Sequence, residues 1–233
     1  MTYTELSAAI QTYTENNFPT ITLANSSTVS STDQINRFIE QAEQRIYNSV
    51  QFPSLRKNVT GTITASNKYL SCPDDFLAPY SLAVYSGSGP YTFLLNKDVN
   101  FMREAYPTPT DTGTPKYYAL FGPTIASSVV TNELSFILGP TPDATYSAEL
   151  HYYYYPESIT VASSGQTWLG DNFDTVLLYG SLVEAYTFQK GEADLLALYD
   201  GKYKEALVLA KRLGDGMERQ DAYRSGQYRQ AVT

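Results

Sequence analysis

The residue types that carry acid–base, nucleophilic or metal chemistry are scarce in this chain. It has one histidine, His151, and one cysteine, Cys72. A Ser-His-Asp triad, a Cys-His pair or a multi-histidine zinc site would each have to use one of these two residues. His151 sits in the run Leu150-His151-Tyr152-Tyr153-Tyr154-Tyr155-Pro156-Glu157, inside a predicted strand. There a structural or interfacial role suits it better than a catalytic one. Cys72 has no second cysteine for a disulfide or a metal, a usage that fits a reducing compartment. Asp74-Asp75 is the one adjacent pair among 24 acids, and it follows Pro73 where turn residues are expected. A glycoside hydrolase needs two carboxyls a set distance apart across a cleft, and no spacing here singles out such a pair. Gly87-Ser88-Gly89 and Gly214-Asp215-Gly216 lack the strand, helix and Lys-Ser or Lys-Thr of a phosphate loop, so both are expected to be turns or hinges. The expectation is a protein with no catalytic residue, no cofactor and no metal site.

What the chain has in quantity is tyrosine, 21 of its 233 residues. A tyrosine ring seeks apolar company and its hydroxyl a polar partner, which suits half-buried contact surfaces. Four tyrosines in succession cannot all face one core, because a strand alternates its side chains between two faces. Tyr152 and Tyr154 extend the Ala148 and Leu150 face and are expected in the core. His151, Tyr153 and Tyr155 extend the Ser147 and Glu149 face, which is assigned to a neighbouring subunit or to a helix pair. Exposed tyrosines and Trp168 would also stack on sugar rings, so a carbohydrate- or receptor-binding module is the alternative. For Trp168 itself, anchoring the segment that leads into a helix is the preferred role.

The net charge of −8 argues against a protein that grips phosphates over a broad surface. Residues 202–233 hold seven Lys or Arg against four acids, a local +3, which leaves −11 for the rest. The N-terminal stretch has no basic and then apolar region of the signal-peptide kind, and no run approaches the ~18 apolar residues of a membrane span. No membrane partner is expected.

The elements that must position these residues fall in three blocks. A helix over 3–15 has Thr2 and Glu5 at capping-box spacing. Residues 16–30 form a polar excursion with a short extended piece. A second helix starts with Ser31 and Gln34 as its capping box and buries Ile35, Phe38, Ile39, Ala42, Ile46 and Val50. The middle alternates in the manner of short strands separated by Gly- and Pro-containing turns, with one short helix capped by Asn96. Asp171 caps a helix that runs through Lys190 and stops at Gly191, and a further helix spans about 193–213. The fold class is therefore α+β. Residues 1–55 and 157–216 are expected to form a helical bundle, with 56–156 inserted as an antiparallel β domain, a sandwich or open barrel. Residues 217–233 are expected to be a flexible docking tail.

Several stretches resemble bacteriophage head–tail adaptor proteins, including the tail-tubular-protein-A type. They are Ala42-Glu43-Gln44-Arg45-Ile46-Tyr47, Gly113-Thr114-Pro115-Lys116-Tyr117-Tyr118-Ala119-Leu120, Ile137-Leu138-Gly139-Pro140-Thr141-Pro142, and Thr167-Trp168-Leu169 with the helix that follows. They occur in the family's order over about residues 3–225. The resemblance implies a structural virion protein and no enzyme. It implies a ring of about twelve copies beneath the portal protein, joined to the next tail or nozzle protein, with genomic DNA passing through the lumen without specific binding. It places the protein in the virion neck, after synthesis in the host bacterial cytoplasm. The stretch matching the family's portal-clasping extension is about Glu218–Thr233, with Arg219, Tyr223, Arg224, Tyr228 and Arg229 as candidate contacts.

Overall fold

The computed structural model describes residues 1–218, apart from Gln51, Pro109, Pro123, Ser127, Ser128 and Glu133. The elements begin with α1 (Tyr3–Thr14), β1 (Ile21–Thr22), β2 (Thr28–Val29) and α2 (Ser31–Ser49), followed by a 3-10 turn at Pro53–Leu55. Next come β3 (Arg56–Ile63), β4 (Tyr69–Ser71), β5 (Ala78–Tyr85), β6 (Thr92–Phe93), β7 (Leu95–Asn96) and α3 (Val99–Ala105). Then follow β8 (Thr112–Gly113), β9 (Tyr117–Phe121), β10 (Thr124–Ala126), β11 (Val129–Asn132), β12 (Ser135–Gly139), β13 (Thr141–Pro142) and β14 (Tyr146–Tyr153). The chain ends in α4 (Trp168–Asn172), α5 (Asp174–Gln189) and α6 (Ala193–Glu218). It divides into two compact units: Met1–Leu55 with the chain from Tyr155 onward, and Arg56–Tyr154.

In the helical unit, α5 packs against α1, α2 and α6. Its sequence is apolar nearly all round because it lies between these neighbours, and Val176, Leu177, Leu182 and Ala185 are all buried. Gly180 sits at the crossing. A Cβ there would meet Ala42 Cβ at 3.2 Å and the Tyr203 ring at 3.3 Å, so any larger residue would push these neighbours back by a few tenths of an ångström. Arg45 of α2 forms an ion pair with Glu184 of α5 and lies over the Tyr203 ring.

The helix starts refine the expectations. Thr2 and Glu5 do form a capping box on α1. On α2 the box is Ser30 with Asp33, one residue earlier than Ser31 and Gln34. An acidic residue at the third position interacts more favourably with the helix N-terminus than an amide does. Gln34 is freed for another task. It is buried, and the two N–H groups of its Nε2 are shared among the carbonyls of Phe18, Pro19, Val29 and Ser30 at 3.1–3.4 Å. The polar excursion before α2 is thereby tied down, and its extended piece is the β1–β2 hairpin.

Asp171 caps nothing. The Thr167 hydroxyl caps α4, the chain breaks at Phe173, and α5 starts without a side-chain cap. Trp168 contacts Phe52 edge-on at 5.0 Å and Phe173 at 5.6 Å, the anchoring role expected of it. Gly214-Asp215-Gly216 is not a turn. α6 runs through it to Glu218, and Gly214 is buried on the stripe of Tyr203, Ala206 and Ala210. Packing along that stripe offsets the low helix propensity of glycine.

The β unit has two four-stranded sheets, ordered β3-β14-β5-β6 and β4-β12-β9-β7. One face of each supplies a common core, with Ile63, Leu82, Val84, Ala148, Leu150 and Tyr152 from the first and Tyr118, Phe136 and Leu138 from the second. Pairing is mostly antiparallel, but β7–β9 and β8–β13 are parallel. The sequence pattern gave no sign of these, because a parallel pair depends on a crossover. Here α3 lies in the β7-to-β9 crossover and covers the second sheet through Met102, Ala119 and Ile137. Asp98 rather than Asn96 caps α3, since Asn96 is engaged in β7.

Candidate functional site

The unusual part of the β unit is the outer face of its first sheet. β14 is an inner strand, paired with β3 on one side and β5 on the other. Its alternation puts Ala148, Leu150 and Tyr152 in the core and Ser147, Glu149, His151 and Tyr153 outside. Cross-strand register sets Arg56 beside Tyr153, Asn58 beside His151 and Thr60 beside Glu149. A register shift between His151 and Tyr152 leaves Tyr80 of β5 as an extra residue. A bulge of this kind re-aims a side chain. The Tyr80 ring meets His151 edge-on at 5.0 Å and Tyr153 at 6.0 Å. The Arg56 guanidinium lies 4.4 Å from the Tyr80 centroid and 5.5 Å from that of Tyr153. Farther along, Tyr85, Tyr91 and Phe93 continue the array, with Tyr91 49% and Phe93 67% exposed. Asn58 Nδ2 donates to Glu149 Oε1 at 2.8 Å.

The inner face explains the rest of the tyrosine run. Tyr152 is fully buried, and its hydroxyl donates to Asp75 Oδ1 at 2.6 Å. Asp75 also receives Lys57 Nζ at 2.7 Å, and Lys57 lies over the Tyr154 ring. Burial pushes the Asp75 pKa up, but Lys57 and the Tyr152 hydroxyl outweigh it and hold the carboxyl below its ordinary value. Of the Asp74-Asp75 pair, Asp75 thus serves as a structural anchor. Tyr154 packs on the edge of the core. The strand ends at Tyr153, so Tyr155 does not share the face of His151 and Tyr153. It belongs to the helical unit, where its ring lies 6.5 Å from Tyr47 and its hydroxyl donates to Asn48 Oδ1 at 2.5 Å. Pro156, next in sequence, has no N–H to donate to a strand ladder.

None of these groups forms a reacting constellation. Burial first, then the Arg56 charge, lowers the His151 pKa, and Glu149 only partly opposes them, so the imidazole is neutral near pH 7. Burial raises the Cys72 thiol to about 12, which leaves it without a reactive thiolate. Glu40 and Glu43 of α2 lie close enough for their charges to interact, and they hold a loop. Glu43 is buried and takes the Ile159 N–H at 3.0 Å, while Glu40 takes the Thr160 hydroxyl at 3.0 Å. Among the described residues, no three His, Cys, Asp or Glu side chains are placed to hold a metal ion, and no helix is long and apolar enough to cross a membrane.

The site is therefore an exposed aromatic face rather than a set of reacting groups. Its family follows from the sequence as a whole: the SU10 adaptor protein family model matches residues 1–231. The chain belongs to the SU10 adaptor protein family. No curated protein matches it. The family is one of structural phage adaptors, located in the virion, and it is not a known class of enzyme. Within an adaptor, His151 and Tyr153 stand together on the aromatic face as the sequence anticipated. Arg56 and Tyr80 complete that face and were not anticipated. Pro79 was the available signal, since proline within a sheet is confined to edges, strand starts and bulges. The candidate contacts Arg219, Tyr223, Arg224, Tyr228 and Arg229 lie outside the described residues.

Proposed function

We propose that this adaptor joins head to tail: about twelve copies form a ring beneath the portal protein, enclose a DNA conduit and present a platform for the next tail or nozzle protein. The family match over residues 1–231 carries this reading. In it the helices act as a bundle and the two sheets as a sandwich. Such a ring has two unlike sides per subunit, each needing a half-buried contact surface. The face of His151, Tyr153, Tyr80 and Arg56 supplies one such surface, and Tyr155, 38% exposed on the helical unit, supplies a further contact. Net charge of −8 lets DNA slide without specific binding. The stretch with Arg219, Tyr223, Arg224, Tyr228 and Arg229 docks on the portal.

The test is co-sedimentation of the full chain, and of a chain truncated after Glu218, with the portal of the same phage. Ending at Glu218 keeps α6 whole. The reading predicts that the full chain sediments with the portal and the truncated one does not. A full chain that stays behind refutes portal docking. Binding by the truncated chain moves the docking surface away from residues 219–233.

A further inference from the structure

A different part of the β unit carries a cavity of about 180 Å³, beside α3 and β12. Its walls include Met102, Tyr106, Ile137 and Leu138, with Lys68 and Arg103 also lining it. Met102, Ile137 and Leu138 are buried, so the floor is apolar. An apolar cavity of about 150 Å³ is large enough to bind benzene. This one has room for a single aromatic or branched aliphatic side chain. The wall is closely built: a Cβ on Gly139 would come within 2.6 Å of Met102 Cε and 2.7 Å of Tyr106 Cδ2.

The two cations are the telling part. Among the described residues, neither the Lys68 nor the Arg103 side chain has an ion pair or a hydrogen bond. Each lies over a ring instead, Lys68 Nζ 5.4 Å from the Tyr69 centroid and Arg103 Cζ 5.7 Å from that of Phe121. A ring engages one side of a cation and leaves the rest of its charge open. In a chain of net charge −8, two such cations beside one cavity with an apolar floor and a partly polar wall are complementary to an anion that carries an apolar group. A carboxylate suits them, because a guanidinium can hold it with two parallel hydrogen bonds. Nucleic acid fits less well, since phosphate contacts need no apolar floor.

We propose that this cavity docks a segment of a partner protein in which a large apolar side chain adjoins a carboxylate. The apolar group seats on Met102 and Ile137, and Lys68 and Arg103 hold the carboxylate. The proposal stands on the cavity alone and does not depend on ring assembly. Phenylacetate has both groups and serves as the probe. The full chain, labelled at its methionine methyls, is titrated with it and followed by NMR, where Met102 reports the cavity and Met1 and Met217 are controls. The expected result is a saturable shift of the Met102 methyl alone. The double variant Lys68→Gln with Arg103→Gln, with an otherwise unchanged spectrum, should bind at least tenfold more weakly. Arg103→Lys should keep most of the affinity, and uncharged benzyl alcohol should bind both proteins alike. Three results would overturn the proposal: no Met102 shift at saturating probe, a shift unaffected by the double variant, or a Met102 shift produced by a short oligonucleotide and not by phenylacetate.

Discussion

The two units hold their cations in different ways. In the helical unit Arg45 pairs with Glu184, Lys204 meets Asp200 at 2.6 Å and Lys202 meets Glu205 at 3.4 Å. In the β unit Lys57 pairs with Asp75, but Lys68, Lys97 and Arg103 each lie over an aromatic ring with no ion pair among the described residues, an arrangement that Arg45 shares only in addition to its ion pair. An ion pair satisfies charge within the unit, whereas a ring leaves much of it facing outward. The aromatic residues differ in part as well. Phe52, Trp168 and Phe173 pack on one another in the helical unit, while Tyr80, Tyr91 and Phe93 of the β unit are at least half exposed or close to it.

The sharpest way to break this contrast is to compare neighbours on one strand. Tyr152→Ala removes a fully buried ring and the hydroxyl on Asp75, and should cost about 3–5 kcal/mol in the unfolding of the β unit. Chemical denaturation followed by near-UV signal would measure it, and a loss below about 1 kcal/mol would contradict the core assignment. Gly139→Ala should follow at about 1–3 kcal/mol, because Met102 and Tyr106 must move away from the new Cβ. A thermal melt in which this variant matches the parent would show that α3 yields freely.

In the helical unit the informative residue is Glu43. Glu43→Ala leaves the Ile159 N–H without its acceptor and should cost about 1–3 kcal/mol. Glu43→Gln retains an acceptor and should act through pH instead. Burial raises the Glu43 pKa in the folded state, with the nearby Glu40 charge adding to it and the Ser158 and Ile159 hydrogen bonds opposing. The carboxyl's contribution is therefore fully present below its unfolded pKa of about 4.3 and is lost as pH rises through the raised folded value. Glu43→Gln should flatten that part of the stability profile and leave the protein at least as stable as the parent at pH 7. Equal slopes for the two proteins across the acid range would rule out this account of Glu43. The smallest stability effect belongs to Tyr153→Ala, about 0.5–1 kcal/mol, because the half-buried side chain on the outer face loses its contacts with Tyr80 and Arg56. Its effect should appear in assembly, measured by sedimentation at matched concentrations. A variant that assembles fully but melts early would place Tyr153 in the wrong role.

Much of the chain was legible because its signals are local. Alternation in Val59, Gly61 and Ile63, and in Ala148, Leu150 and Tyr152, marks strands and gives the correct inner face. The Thr2 and Glu5 box marks the start of α1. Features set by tertiary contact were harder to read. Ser30 and Ser31 are equivalent as candidate caps until Gln34 is seen holding four carbonyls. Gly214 and Gly216 look like breakers until Gly214 is found buried along α6. Half of the aromatic face was visible, since His151 and Tyr153 follow from alternation. Arg56 depends on cross-strand register and Tyr80 on a bulge, neither of which a single strand's pattern specifies. Tyr155 was misplaced because the alternation was carried two residues past the end of the strand.

The most direct test of the adaptor account is native mass spectrometry of the full chain mixed with the portal of its own phage. The account predicts a complex with about one copy of this chain per portal subunit, and its loss when Tyr80→Ala and Tyr153→Ala are combined in a chain that still folds. A chain that remains monomeric and leaves the portal mass unchanged would contradict it.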